Sequence, residues 1–249
     1  MKIVIAVAVA ALISSFLSPD LGLTANSLAI YLGFAAALAV VLIAFEVPAL
    51  LEHRRVIGER GRLRVLPWAL IVAALFVLVS RLAELQPGYL WGVVLGVLFL
   101  KTETKAEGRE QAAGALWTLI ISILAWLALG FLRGPAGTDG SFLAIVAETA
   151  LAATTVAGLE AVAFGMMPFR FMPGVSIYRW NRPVWALLFG VSLFGFFHIL
   201  VGPTSGYLAD LSFEGWIAAL GVFAAFGILT VLFWAWFRFR PTPVAEGEG

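Results

Sequence analysis

The 249-residue chain has no cysteine, only two histidines and only 12% charged residues. A soluble domain carries roughly 25% charge. Without thiols there is neither a disulfide framework nor a cysteine-ligated metal site. The two histidines, His53 and His198, fall on opposite sides of the expected membrane, so no paired-histidine metal site can form. HExxH, Walker A, a GxGxxG after a strand and an aspartate-rich diphosphate box are all missing. No cluster of basic residues with interleaved aromatics suggests nucleic acid. These absences exclude disorder and an ordinary water-soluble enzyme, and they imply no metal and no cofactor.

What the chain does have is apolar length. It is 62% hydrophobic, with 20 phenylalanines and 9 tryptophans. A bilayer core about 30 Å thick needs roughly 20 apolar residues per helix. Eight runs qualify: Ile3–Leu17, Leu28–Leu51, Val65–Leu82, the short Gly88–Leu100, Gly114–Leu132, Phe142–Met167, Val184–Val201 and Trp216–Phe237. None shows the polar stripe of a soluble helix. The fold expected is therefore all-α, a polytopic bundle of about eight spans. One transmembrane domain covers residues 1–240, and 241–249 reads as a disordered cytoplasmic tail. The first run also resembles a signal peptide. The following Ser14-Ser15-Phe16-Leu17-Ser18 makes a poor cleavage site, so retention is expected.

Charge sets the orientation. With odd-numbered spans leaving the cytoplasm, every basic residue but Arg81 and Arg133 falls inside. Asp20, Glu84, Asp139, Asp210 and Glu214 lie outside. This is the positive-inside pattern. It puts both termini on the cytoplasmic side of a membrane the chain crosses repeatedly.

Small residues allow helices to approach closely in lipid. Gly88, Gly92 and Gly96 line one stripe of the fourth span, and Ala153, Ala157, Ala161 and Gly165 line one of the sixth. Either stripe could serve internal packing or a homo- or hetero-oligomer seam.

Ionisable residues at membrane depth are few, and each is a functional candidate. Glu148 and His198 share outer-leaflet depth on sequential spans. They could relay a proton or simply hydrogen-bond. Thr155 shares the Glu148 face, and Arg133 is a possible counter-ion. Glu46 and Glu160 belong to the inner leaflet, near Arg170, Arg179 and Arg182. Ion pairs are one reading there, and a cytoplasm-facing substrate or partner site is the other.

The inner loop after the sixth span is itself patterned. Pro168 and Pro173-Gly174 are expected to end that helix. Asn181 is a plausible cap for the seventh. The three loop arginines would face anionic headgroups.

Residues Gly158 to Tyr207 carry a resemblance. Phe164-Gly165-Met166-Met167-Pro168, then Trp180-Asn181-Arg182, then His198 and Pro203 ahead of Ser205-Gly206-Tyr207 follow one known pattern. This stretch resembles the membrane region of actinobacterial proteins named for an FGLLP motif, with both leucines replaced by methionine. Pro87-Gly88-Tyr89-Leu90-Trp91-Gly92 is similar to a segment of the same family. The resemblance implies a multi-pass architecture and carries over no activity or catalytic residue.

Three functions follow as expectations. The first is a non-catalytic anchor or assembly partner, held among membrane lipids with a protein partner or a second copy of itself. The second is a small transporter or proton-coupled channel using Glu148 and His198. The third is a membrane-embedded lipid enzyme.

Overall fold

The structure is a computed structural model. It describes residues 2–18, 22–58, 63–65, 71, 74–75, 77–78, 97–99, 107–132, 140–169 and 172–201. All of these fall within one compact unit, Met1–Leu208. The second unit, Ala209–Gly249, holds the expected eighth span and the tail, and lies outside the described residues.

Helices dominate the described residues. They are α1 (Lys2–Ser15), α2 (Ala25–Ile57), α3 (Glu107–Leu132), α4 (Phe142–Gly165), the short α5 (Pro173–Trp180) and α6 (Arg182–Gly195). A π-helical turn, Phe196–Val201, continues α6. Four segments among the described residues are long and apolar enough to cross a membrane: Ala25–Val56, Glu107–Leu132, Phe142–Gly165 and Arg182–Leu200. They coincide with the expected second, fifth, sixth and seventh spans. The first run is a shorter apolar helix, Ile3–Ser15. Of the expected third span, residues 71, 74–75 and 77–78 are helical.

The expected fourth span departs from a helix at its end. Val97–Phe99 is a strand (β2), paired antiparallel with Leu63–Val65 (β1) in the register Leu63↔Phe99 and Val65↔Val97. On hydropathy Val65 opens the third span, whereas in the structure it belongs to β1. Hydropathy alone does not separate a short apolar strand from a helix, and Val and Phe are at home in strands. A two-stranded ladder has open edges that hydrocarbon cannot satisfy, so it belongs outside the acyl region or against protein.

Local signals set the helix ends. The Thr24 hydroxyl accepts from the Ser27 amide at 3.2 Å to open α2. Gly58, at φ +81°, closes α2 by donating its amide to the Arg54 carbonyl. That left-handed conformation is why glycine stands there. Asn181 caps α6 as expected, accepting from the Val184 amide at 3.1 Å. Pro173 does not end a helix. It begins α5, because its missing N–H costs nothing in a first turn.

The helices meet through small residues. Ala37 and Val41 of α2 pack on Ala153 and Ala157 of α4. On α3, Gly114 lies so close to α2 that a Cβ there would stand 2.7 Å from the Phe45 carbonyl oxygen. A Cβ on Gly158 of α4 would overlap the Ser122 hydroxyl of α3. The buried hydroxyls between α3 and α4 are satisfied by backbone. Thr118 donates to the Gly114 carbonyl at 2.9 Å, and Ser122 to that of Thr118 at 2.7 Å. Bulk faces outward instead: Phe131 is 88% exposed, Leu143 75% and Leu187 67%. Such surfaces are expensive in water and suit lipid.

Candidate functional site

At 1.5 Å per residue, the 33 residues of α2 rise about 50 Å, well beyond the roughly 30 Å of hydrocarbon. Its last turns therefore carry Glu52, His53, Arg54 and Arg55 out of the apolar region. The first turns of α3 bring Glu107, Arg109, Glu110 and Gln111 to meet them. Arg54, Arg55, Arg109, Arg179 and Arg182 consequently stand at one end of the bundle.

That end is cross-linked by polar side chains. His53 Nδ1 lies 2.8 Å from Glu110 Oε1, with His53 only 7% and Glu110 only 4% exposed. An ionised carboxylate can only accept, so Nδ1 carries the proton in that state. Arg109 reaches Glu52 at 2.5 Å, and Arg55 approaches the other oxygen of the same carboxylate at 3.5 Å. The Ser176 hydroxyl of α5 donates to Glu107 at 2.8 Å.

The FGMMP segment forms the second half of this end. Phe164 is buried edge-on against Phe196, with centroids 5.8 Å apart. Met166 and Met167 are buried as well. The indole N–H of Trp185 donates to the Met166 carbonyl at 2.7 Å. Trp185 also meets Tyr178 edge-on at 5.2 Å and stacks on Phe189. The Arg182 guanidinium lies over the Tyr178 ring at 5.1 Å. Gly174 passes directly against the Met166 backbone. Arg179 and Trp180 are left exposed.

Below this end, carboxylates sit inside the bundle. Glu46 is 3% exposed, and its Oε2 has no hydrogen-bond partner. Glu160 is buried on α4 and Gln111 on α3. Glu46 is not paired with Arg179 or Arg182: Arg182 faces Tyr178, and Glu52 and Glu110 make the ion pairs at this end. Arg170 and Arg133 lie outside the described residues.

On the opposite half of the bundle, His198 is exposed in the π turn and stacks on Phe194, centroids 5.2 Å apart. Glu148 is half-buried on α4. Thr155 is buried, but its hydroxyl turns to the Leu151 carbonyl at 2.9 Å and the Ser122 carbonyl at 3.4 Å. It seals the α3–α4 seam. Ala153 and Ala157 form the α4 packing face, Gly165 is buried and Ala161 half-buried. Gly88, Gly92 and Gly96 lie outside the described residues.

Sequence reasoning missed His53, Glu110 and Gln111. One signal was present: Glu110, Gly114, Thr118 and Ser122 recur every fourth residue and so share a helix face. Among the described residues no group of three or more histidines and carboxylates could hold a metal ion. No family model, no curated protein and no solved structure matches this chain.

Proposed function

We propose that this chain is a non-catalytic, multi-pass protein of a bacterial cytoplasmic membrane, of the FGLLP-motif kind. In this reading it has eight spans and cytoplasmic termini, and it acts as an anchor or assembly partner in a larger complex. The observation that carries the reading is how the arginine-bearing end uses its polar groups. Glu52, His53, Glu107 and Glu110 tie helix ends to one another instead of converging on a reaction centre. The result is a braced platform with Arg179 and Trp180 displayed on it.

Purification in mild detergent followed by mass spectrometry tests this. The expected result is a stoichiometric companion, another protein or a second copy, that is lost from an Arg179→Ala/Trp180→Ala variant of unchanged thermal stability. A chain that always runs alone overturns the reading.

Glu46 favours a second reading, proton-coupled transport. A carboxyl group within a span, with one oxygen unpartnered, is costly unless it has a use. Liposomes containing the protein and a pH dye should then show proton flux that Glu46→Gln abolishes. Equal flux from wild type and variant, or none from the wild type, overturns it.

A further inference from the structure

A groove of about 570 Å³ runs along the outer surface between α2 and α3. Val40, Ile43, Val47 and Leu51 wall one side, Trp117 and Ile121 the other. Five of these side chains, Val40, Ile43, Val47, Leu51 and Trp117, are well exposed on the outer surface. From Val40 to Leu51 the helix rises about 16 Å, about half the hydrocarbon thickness. A crossing helix from a partner would need the full thickness, whereas an acyl chain occupies one leaflet.

The mouth of the groove has a charge to match a headgroup. Glu52 and Arg55 line it. Arg109 stands one turn beyond the lining residue Ala113 and reaches the same Glu52 carboxylate. Two guanidinium groups thus share one carboxylate, which leaves a net positive charge. Both are half or more exposed, with N–H groups to spare. Guanidinium forks suit phosphate oxygens.

We propose that this groove is a binding site for an anionic phospholipid. One acyl chain lies along Val40 to Leu51, and the phosphate sits against Arg55 and Arg109. The site rests on the membrane-embedded fold and not on the partner role, so either can fail without the other.

Native mass spectrometry of the purified, delipidated chain offered equimolar phosphatidylglycerol and phosphatidylcholine is the test. Wild type should retain one phosphatidylglycerol in preference to phosphatidylcholine. Arg55→Ala should reduce that preference about fivefold, and Arg55→Ala/Arg109→Ala about thirtyfold. Val47→Trp, placed at an exposed position, should fill the groove and remove both lipids while leaving the arginines intact. Equal retention of the two lipids by wild type, an unchanged preference in the double arginine variant, or unchanged retention in Val47→Trp overturns the proposal.

Discussion

Replacing Gly174 by alanine is expected to destabilise the protein by about 3 kcal/mol, the upper end of the cost of overpacking. A Cβ at this position would overlap the carbonyl oxygen, carbonyl carbon and Cα of Met166. These are backbone atoms, so no rotamer change relieves the clash. Either α5 moves away or the turn after α4 does. Movement of either threatens contacts made nearby, the Trp185 hydrogen bond to the Met166 carbonyl and the Ser176 bond to Glu107. The thermal midpoint of the detergent-solubilised protein should fall by roughly 6–12 °C. Gly190→Ala is the matched control. Nothing lies within 4 Å of a Cβ there, and alanine is the better helix former, so its midpoint should hold or rise. Equal midpoints for the two variants would remove Gly174 from the account of how this end is held.

The same pair of segments shows what can be read from a sequence and what cannot. The apolar runs announced the spans because hydropathy is a sum over many residues, and Asn181 announced a cap because capping is local. The span ends were less legible. The α2 helix continues to Ile57 and α3 begins at Glu107, about two turns ahead of Gly114. Both extensions are charged, and a hydropathy criterion stops where charge begins while the backbone hydrogen bonds do not. Pro173 misled for a related reason: proline ends one helix and begins another with equal ease, and only the neighbouring chain decides. The burial of Glu46 and Glu160 was legible from depth alone. The ion pairs made at the charged helix ends were not, since they are held by Glu52 and Glu110. The expectation of a Glu148–His198 pairing followed from equal depth, but depth says nothing about azimuth; the structure shows His198 exposed and stacked on Phe194.

The His53–Glu110 pair should be the other large lever on stability. The two residues are 57 positions apart, buried, and 2.8 Å from each other. His53→Leu would leave the Glu110 carboxyl buried with its partner gone, which costs about 3–5 kcal/mol when a buried pair is broken from one side. Glu110→Leu would strand the imidazole N–H in the same way at a smaller cost, because a neutral ring is less expensive to desolvate than a carboxylate. The double variant His53→Leu/Glu110→Leu removes both polar groups and should recover most of the loss, since apolar replacement of a buried pair is often neutral. Arg109→Ala breaks the neighbouring bridge to Glu52, but Arg109 is half exposed. Exposed ion pairs contribute about 0–1 kcal/mol, so this change should scarcely move the midpoint. Thermal midpoints of the four variants separate the possibilities. If the double variant loses as much as the two single variants together, the pair is not coupled and the contact does not brace α2 against α3. If the double variant recovers, the pair is coupled, and an apolar contact between α2 and α3 can stand in for it in holding the two helix ends together.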